Sequence, residues 1–390
     1  MPTHMPEPTD HQELRAEVRS LCAQFPLTYW QECDMNRQYP ERFVVAFMKT
    51  GLASALIPQE FGGLGLSLDR PSVILEEIHR SGGNASACHA QMYTMGALVR
   101  HGSPEQKRHW LPRIASGELH LQAFSVTERD SGSDTKAMRT NAIRDGSVFV
   151  INGTKSWTSR IEQSDLALIL AKSGDDSVKD RSSDGLSLFL VDLQDARSQQ
   201  ALIVEEAPTW MNYATFQVTY QNLRVPEDNL IGPEGSGFRA ILDGMNAERI
   251  LLAAEAIGDG YWFIEQAASR ASTREMFGRP IGANQGIQFP ISRAYTQVFA
   301  ADQVRKVAAR TFDEGRNCGA EANMGKLLAS EASWQAGNVC LDTFGGDGFL
   351  ISHHVERKLR ETRLYQTAPV SNNLVLAYLG NRTLGLPKSY

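Results

Sequence analysis

The sequence lacks the residue patterns that hold most protein-bound metal ions and disulfides. Its five cysteines are widely spaced and form no Cys-x-x-Cys pair, and none of its nine histidines lies in a His-Glu-x-x-His motif. Because zinc sites are usually built from such pairs, we expect no metal site. An odd number of scattered cysteines also indicates reduced thiols rather than a disulfide framework.

Long apolar runs and basic tracts are also missing. No stretch approaches the roughly 20 apolar residues that a membrane-spanning helix needs, and the start, MPTHMPEPTDHQELR, has neither a signal-peptide core nor an Arg-rich, acid-poor presequence. The 39 Lys and Arg residues against 45 Asp and Glu residues give a formal net charge of -6. We therefore expect a cytoplasmic protein whose partners are neither nucleic acid nor membrane.

The 32 glycines form no recognised phosphate-binding loop. The clusters QEFGGLGLS and IGPEGSGF fit neither Gly-x-Gly-x-x-Gly nor Gly-x-x-x-x-Gly-Lys-[Ser/Thr], and no Gly-x-Ser-x-Gly motif occurs. We interpret both clusters as ordinary turns. A Rossmann dinucleotide fold, a P-loop enzyme and an α/β-hydrolase are therefore disfavoured.

The composition divides the chain into three segments. In the first 120 residues short helical runs end at Pro and Gly, and Ser103 with Gln106 forms a helix-capping box. From 121 to 232, runs rich in Val, Ile, Thr and Phe alternate with turn residues and predict strands, among them LQAFSVT, VFVING, DLALILAK, LSLFLVDL, ALIVEE and TFQVTY. Long helical runs return from 233 to 390. The predicted fold is α+β, with a helical domain (1–120), an antiparallel β domain (121–232) and a second helical domain (233–390).

Two segments of the β region suggest a binding site. SVTERDSGSDT combines hydroxyl groups with a Gly-Ser-Asp turn, and KSWTS follows about thirty residues later. Each segment alone is explained equally well as a strand end and a packed aromatic residue. Together they place hydrogen-bond donors near a Trp that can stack on a flat ring, which suits a heterocyclic cofactor.

Two carboxylates interrupt an apolar helix in the last segment. Glu248 and Glu255 are seven residues apart and so share one helix face. Burial against apolar surface raises the pKa of a carboxyl group, which favours a general base that works near neutral pH. Taken alone, the pattern is explained at least as well by an ion pair between Glu248 and an arginine.

Five motifs in sequence order then resemble the acyl-CoA dehydrogenase family over nearly the whole chain. They are IPQEFGGLG, FSVTERDSGSD, INGTKSWTS, REMFGRPIGANQGIQF and FGGDGF. The resemblance implies a C-terminal four-helix bundle and an FAD enzyme that converts an acyl-CoA thioester into a trans-2-enoyl-CoA. It also implies a homotetramer, with a dimer as the alternative, and an electron-transfer flavoprotein as electron acceptor.

The resemblance assigns roles to individual residues. Those expected to contact FAD are Phe124, Val126, Thr127, Gly132, Ser133, Trp157, Ser159, Arg274, Phe277, Gln285, Gly346, Ser371 and Asn373. Ser133 is also expected near the CoA pantetheine, and Arg249 near the substrate. Arg274 and Phe277 resemble the residues that hold the FAD pyrophosphate and adenine, and the guanidinium group of an arginine suits phosphate because it forms paired hydrogen bonds to phosphate oxygens.

The catalytic base departs from the family's commonest pattern. That pattern is Tyr-Glu-Gly-Thr near the C-terminus, where this chain has Pro369, Val370 and Ser371 in place of Glu-Gly-Thr. In branches that resemble isovaleryl-CoA and long-chain dehydrogenases, the glutamate instead precedes an arginine on a helix, as Glu248 does here. The resemblance thus implies Glu248 as the base, with Glu255 as second choice.

Two further departures affect the expected chemistry. The family supports the thioester carbonyl with a backbone N–H at the position of Pro369, and proline has none. We expect a shifted loop in which Ala368 or Val370 donates instead. Asp342 replaces a glutamine that commonly contacts FAD, and its charge would repel a pyrophosphate.

The sequence leaves alternatives for the acyl chain of the substrate and for the type of activity. A base on the helix favours a branched or bulky acyl chain. Met92 and Met95 are proposed as pocket lining, although a plain core helix explains the same residues equally well. A flavin oxidase or monooxygenase of the same fold, and a non-catalytic homologue that binds CoA thioesters, are the competing interpretations.

Overall fold

The computed structural model describes residues 8–173 and 185–388. Residues 1–7, at the start of the predicted N-terminal domain, therefore lie outside the described part. So do residues 174–184, most of the charged, Ser-rich stretch 173–185 that its composition predicts to be a solvated hairpin loop. Within the described residues, no helix is both long and apolar enough to cross a membrane.

Helices dominate both ends of the chain. They are α1 (Gln12–Cys22), α2 (Leu27–Met35), α3 (Glu41–Lys49), α4 (Asp69–Arg80), α5 (Ser86–His101), α6 (Pro104–Ala115), α7 (Leu193–Ser198), α8 (Gly237–Thr273), α9 (Gln285–Asp313), α10 (Gly319–Phe344), α11 (Val355–Leu364) and α12 (Asn372–Tyr378). The predicted capping box is present, since the Ser103 side chain accepts from the Gln106 N–H and the Gln106 side chain accepts from the Ser103 N–H.

Strands occupy the middle of the chain. They are β1 (Leu121–Ser125), β2 (Asn141–Asp145), β3 (Val148–Ser159), β4 (Leu166–Lys172), β5 (Leu186–Asp192), β6 (Leu202–Glu206), β7 (Thr215–Pro226), β8 (Leu230–Ile231), β9 (Glu275–Met276) and β10 (Arg279–Pro280). Seven form a sheet in the order β6-β7-β3-β2-β4-β5-β8, and β1 pairs with β4. Composition missed the short helix α7 and the β9–β10 hairpin.

The sheet is antiparallel except where β4 meets β1 and β2. Both of those pairings are parallel, so the expectation of a wholly antiparallel module was too simple. β4 is buried on both faces, which explains why its sequence LALILAK is a continuous apolar run. Its leucines pack towards α5 and α6, while the residues between them face the second core of the β region.

The predicted domain limits fall in connections between these elements. α6 ends at Ala115 before β1 begins at Leu121, and β8 ends at Ile231 before α8 begins at Gly237. After β8, α8, α9, α10 and α11 pack around a shared apolar core, which is the expected helical bundle. The first half of α8 instead packs against α4 and α5. The 37-residue helix α8 therefore belongs to both helical layers.

Glycine lets α8 approach α4 closely. A Cβ atom at Gly258 would lie 2.3 Å from the Glu76 backbone oxygen and 2.7 Å from the His79 Cβ. Real Cβ atoms do not come this close to a backbone oxygen, so any larger residue must push the two helices apart.

We expect Gly258→Ala to lower the free energy of unfolding by about 1–3 kcal/mol because of this overpacking. Gly286→Ala in α9 is the matched control, since nothing lies within 4 Å of its Cβ position. Alanine in a helix is favoured over glycine by roughly 1 kcal/mol, so the control should be neutral or more stable. Urea unfolding measures both variants, and equal stability of the two would contradict the close helix contact.

Candidate active site

A cavity lies where α5, α8, α11 and the loop after α11 meet the β region. Its empty volume is about 690 Å³, including its opening to solvent. The lining residues are Asn84, Ser86, His89, Tyr93, Arg160, Met211, Asn212, Tyr213, Glu248, Leu252, Glu255, Arg360, Glu361, Leu364, Tyr365, Ala368 and Pro369. Both carboxylates singled out on α8 are thus in the wall of one cavity, as their seven-residue spacing indicated.

Glu248 is buried in the cavity wall without an ionic partner. Only 4% of the residue is exposed, and it forms no ion pair within the described part of the chain. Arg249 does not neutralise it, because that guanidinium group donates to the Asn246 side chain at 3.1 Å. Burial raises the pKa of Glu248 to about 7, although the charges of His89 and Arg249 act in the opposite direction. The group therefore exchanges a proton near neutral pH.

Glu255 has a different environment although it lies two turns further along the same helix. Its Oε1 is 3.1 Å from Nδ1 of His89 on α5. Burial acts to raise the pKa of Glu255, but the charge and hydrogen bond of His89 outweigh it and lower the pKa below its usual value. Glu255 is therefore a weaker base than Glu248 and holds the His89 ring in place.

A second, smaller cavity begins on the other side of Glu248. Its empty volume is about 290 Å³, and it is lined by residues of α5, β1 and the first turns of α8, including Tyr93, Phe124 and Met245. The Phe124 ring packs edge-on against Tyr93 with 5.7 Å between ring centres. Glu248 lines both cavities, so this residue lies at their junction.

A buried ionic cluster borders the cavity and includes Glu361 of its wall. The Lys358 ammonium group on α11 donates to the Gly83 carbonyl at 3.0 Å and to Glu361 at 2.8 Å, and it forms an ion pair with Asp259 on α8. His79 Nδ1 is 2.8 Å from the same Asp259 carboxylate, while its Nε2 accepts from the Ala85 N–H. Asp259, Glu361 and His79 are also the one group of side chains in the described ranges that are close enough together to ligate a metal ion. The Lys358 cation already sits among these ligand atoms.

The segments proposed to line the flavin come together at the ends of β1 and β3. The Ser156 N–H donates to the Thr127 carbonyl at 2.8 Å, and the Ser125 and Thr158 hydroxyls are 3.0 Å apart. This pairing places Val126 and Thr127 beside Trp157 and Ser159. Trp157 is 56% exposed and has a positive φ of 62°, so its ring offers an uncovered flat surface.

A buried lysine and glutamate fix the loop that follows β1. The Glu128 carboxylate accepts from the Arg139 and Thr140 N–H groups at 2.7 and 2.8 Å, and Lys155 donates to it at 3.1 Å. Glu128 in the TERDSGSD motif is therefore a structural residue. Gly132 and Ser133 lie at the exposed end of this loop.

The proposed pyrophosphate and adenine contacts lie at the far end of α8. Arg274, Gln285 and Gly346 are exposed, and Phe277 is 98% exposed with a positive φ of 53°. An ion pair between Arg270 and Asp347 connects the end of α8 to the segment that contains Gly346. Arg274 and Gly346 are thus brought to one end of the molecule, but not to the Glu248 cavity of the same chain.

The loop after α11 closes the cavity with Ala368 and Pro369. The Ala368 N–H donates to the Leu364 carbonyl at 3.0 Å, so it is not free to support a thioester carbonyl. Of the two donors considered for a shifted loop, only the Val370 N–H remains. Ser371 caps α12 by accepting from the Leu374 N–H, and Asn373 is exposed.

Several predicted residues lie outside the cavity. Arg249 lines neither cavity and lies close enough to Lys326 to lower the pKa of that group. Asp342 is exposed on α10 and has no ion pair within the described ranges. The expected lining role of Met92 and Met95 is wrong, because both are fully buried in apolar cores.

Sequence reasoning missed His89, Tyr93 and Arg160. Ser86, His89 and Tyr93 recur every three to four residues and so share one face of α5, which is a polar stripe that the sequence does show. Arg160 had no such signal, since it reaches the cavity only through the positive φ of 60° at the end of β3.

Models of one protein family match all three parts of the chain. Models of the acyl-CoA dehydrogenase N-terminal, middle and C-terminal domains match residues 8–118, 123–217 and 235–375. The chain belongs to the acyl-CoA dehydrogenase family. Its resemblance to that family, its three-part fold and its class as an oxidoreductase acting on acyl-CoA are thereby confirmed.

Individual relatives cover almost the same length. Acyl-CoA dehydrogenase FadE12 of Mycobacterium tuberculosis is 31% identical over 387 residues, which is 98% of each chain. Cyclohex-1-ene-1-carbonyl-CoA dehydrogenase of Syntrophus aciditrophicus is 30% identical over 97% of this chain and 91% of its own. The structure of glutaryl-coenzyme A dehydrogenase in its glutaryl-CoA complex has a TM-score of 0.89 and 26% identity, over 99% of this chain and 98% of that chain.

The cavity loop of this acyl-CoA dehydrogenase depends on Lys326 of α10. Its ammonium group donates to the Val370 carbonyl and to the Asn372 side chain, each at 2.7 Å. The lysine is fully buried, and burial lowers its pKa to about 8.

We expect Lys326→Met to lower the free energy of unfolding by about 1–3 kcal/mol, because two half-buried acceptors lose the hydrogen bonds of this buried ammonium group. Lys49→Met on the exposed side of α3 is the control, and it should change stability by less than about 0.5 kcal/mol. Urea unfolding provides the comparison. If both variants are equally stable, Lys326 does not anchor the loop.

Proposed function

We propose that this protein catalyses FAD-dependent α,β-dehydrogenation of an acyl-CoA thioester, with Glu248 as the base. The observation that carries the proposal is the position of Glu248 at the junction of two cavities, buried and without an ionic partner. Its pKa of about 7 suits a group that must be ionised before reaction and protonated after it. Glu255 is less suitable because His89 holds it as a low-pKa carboxylate.

In the proposed reaction the Glu248 carboxylate takes the proton from Cα of the acyl group. The electron pair of that C–H bond becomes the new Cα=Cβ double bond. When bound, FAD supplies the acceptor for the hydride that leaves Cβ. The cavity walls exclude bulk water, which keeps Glu248 basic and removes competing proton donors. The Val370 N–H is the proposed donor to the thioester carbonyl.

The residues at the edge of the sheet fit an FAD cofactor. Trp157 offers a flat exposed ring beside the β1 segment Phe124 to Thr127, and Phe277 offers a second exposed aromatic surface. Arg274 has no carboxylate within ion-pair distance in the described ranges, so its guanidinium group is available to a pyrophosphate. A protein of similar fold has been solved as an FAD complex.

We also propose that FAD binds between two copies of the chain. Glu248 lies about a third of the way along α8 and Arg274 follows its last residue, so the two backbones are roughly 40 Å apart at about 1.5 Å per residue. Arg274 holds the pyrophosphate of the FAD that serves the Glu248 cavity only if a second chain contributes one of these two residues. Exposed apolar residues along α9 and α10 support association into a homotetramer or dimer; they are Phe289, Phe299, Val307, Met324 and Leu328.

The acyl chain is proposed to be branched or bulky, and the electron acceptor an electron-transfer flavoprotein. Two observations support a branched or bulky acyl group. The base lies on α8 rather than on the loop after α11, and a relative at 30% identity is named for a cyclic acyl-CoA. The acceptor is inferred from family membership alone.

We expect Glu248→Gln to retain FAD and to lose flavin reduction by substrate by ~10²–10⁴-fold, since an amide cannot accept the Cα proton. The measurement is anaerobic bleaching of the flavin absorbance by an acyl-CoA thioester. Glu255→Gln is the comparison variant and should lose far less. A Glu248→Gln protein that reduces its flavin at the normal rate would transfer the role of base to another residue.

The rate of flavin reduction should depend on pH through Glu248. Only the carboxylate form accepts a proton, and its pKa is raised to about 7. The rate should therefore rise as the pH increases through about 7 and level off above it. Stopped-flow reduction between pH 5.5 and 9 tests this, and a rate that is flat or falls over that range would argue against Glu248.

A further inference from the structure

The wall of the cavity beside Glu248 contains more polar side chains than the binding of a hydrocarbon chain requires. Sites for apolar ligands are lined mainly by hydrophobic side chains. Here the wall includes Asn84, Ser86, His89, Arg160 and Asn212, together with three tyrosines. The polarity is not explained by the base alone.

Most charges in this wall are already neutralised by protein partners. Glu361 is held by Arg357 at 2.9 Å and by Lys358 at 2.8 Å. Arg360 pairs with Asp34 at 2.6 Å and with Glu356 at 2.9 Å. These groups have no need of a charged ligand.

Arg160 is the exception. It forms no ion pair with any carboxylate in residues 8–173 and 185–388, and its buried Nε has no hydrogen-bond partner. The guanidinium carbon lies 5.6 Å from the centre of the Tyr213 ring, so the group packs over an aromatic face rather than against an anion. Its positive charge in the cavity wall is uncompensated.

His89 supplies a second unused contact. The residue is 95% buried, with 5% exposed. Its Nδ1 is 3.1 Å from the Glu255 carboxylate, which only accepts, so Nδ1 carries a proton. In the imidazolium form Nε2 carries a proton as well and donates to a ligand carboxylate. Nε2 has no partner in the described part of the chain. A buried ring nitrogen without a partner in a cavity wall points to a polar ligand group.

We propose that the acyl group of the substrate carries a carboxylate, which Arg160 binds with the help of His89. A guanidinium group matches a carboxylate through paired, charge-assisted hydrogen bonds and also balances its charge. An unsubstituted acyl chain would cover both residues and leave the Arg160 charge and the His89 Nε2 unpaired. This inference rests on the proposed function, because it takes the Glu248 cavity to be the acyl site.

The test compares two CoA thioesters that cannot be dehydrogenated because sulfur replaces Cβ. 3-Thiaglutaryl-CoA ends in a carboxylate, and 3-thiapentanoyl-CoA is its uncharged counterpart. Titration calorimetry with the FAD-loaded protein measures their affinities. We expect the carboxylate compound to bind roughly 10- to 100-fold more tightly, as a charge-assisted contact implies. Since neither compound reacts, failure of Glu248 as a base leaves this readout intact.

Variants assign the preference to its residues. Arg160→Asn tolerates the positive φ at this position and should abolish the preference for the carboxylate compound over the uncharged one. His89→Gln should reduce the preference, and Arg108→Asn, an exposed arginine of α6 paired with Glu105, should retain it.

Three results would overturn the proposal. The first is equal or weaker binding of the carboxylate compound by the unmodified protein. The second is a preference that survives in Arg160→Asn. The third is an Arg160→Asn protein that folds but loses its FAD, which would assign Arg160 to the cofactor. If neither thioester binds, the proposed acyl-CoA function fails as well.

Discussion

The buried ammonium group of Lys358 connects the elements that build the active-site cavity. It contacts Asp259 on α8, Glu361 on its own helix α11, and the Gly83 carbonyl just before α5. Breaking such a cluster by removing one partner leaves a buried charge without compensation, which typically costs about 3–5 kcal/mol. The need to keep this buried charge paired fixes α5, α8 and α11 relative to one another. The positions of Glu248, Glu255 and His89 follow from it.

Two carboxylates on one helix face are given different chemistry by their surroundings. Glu248 is buried without a partner and has a pKa raised to about 7, whereas Glu255 is paired with His89 and has a lowered pKa. One group is thereby suited to exchange a proton, and the other to hold a ring in position. The same ring and the uncompensated Arg160 make the cavity suitable for an acyl group that is itself charged.

The sequence predicted the fold better than the site. A long helical run without proline and a short continuous apolar run are strong signals, so α8 and β4 were recognised from the chain alone. The shared face of Glu248 and Glu255 followed from helix geometry, but their opposite pKa shifts depend on His89. This residue lies 159 positions before Glu248 in the sequence, and neither a motif nor the composition links it to the two carboxylates. Tertiary packing brings it to Glu255. Arg160 reaches the cavity through a local left-handed backbone conformation that its residue type does not favour. Met92 and Met95 were misassigned because helix periodicity does not say which buried face meets a cavity.

The central claim is that Glu248 acts on Cα of an acyl thioester held between this residue and the flavin. A crystal structure of the protein with FAD and a non-reactive 3-thia acyl-CoA tests it most directly. The account predicts a Glu248 carboxylate oxygen within about 3–3.5 Å of Cα, on the side opposite the flavin. A thioester whose Cα lies against another carboxylate, with Glu248 facing away, would contradict it.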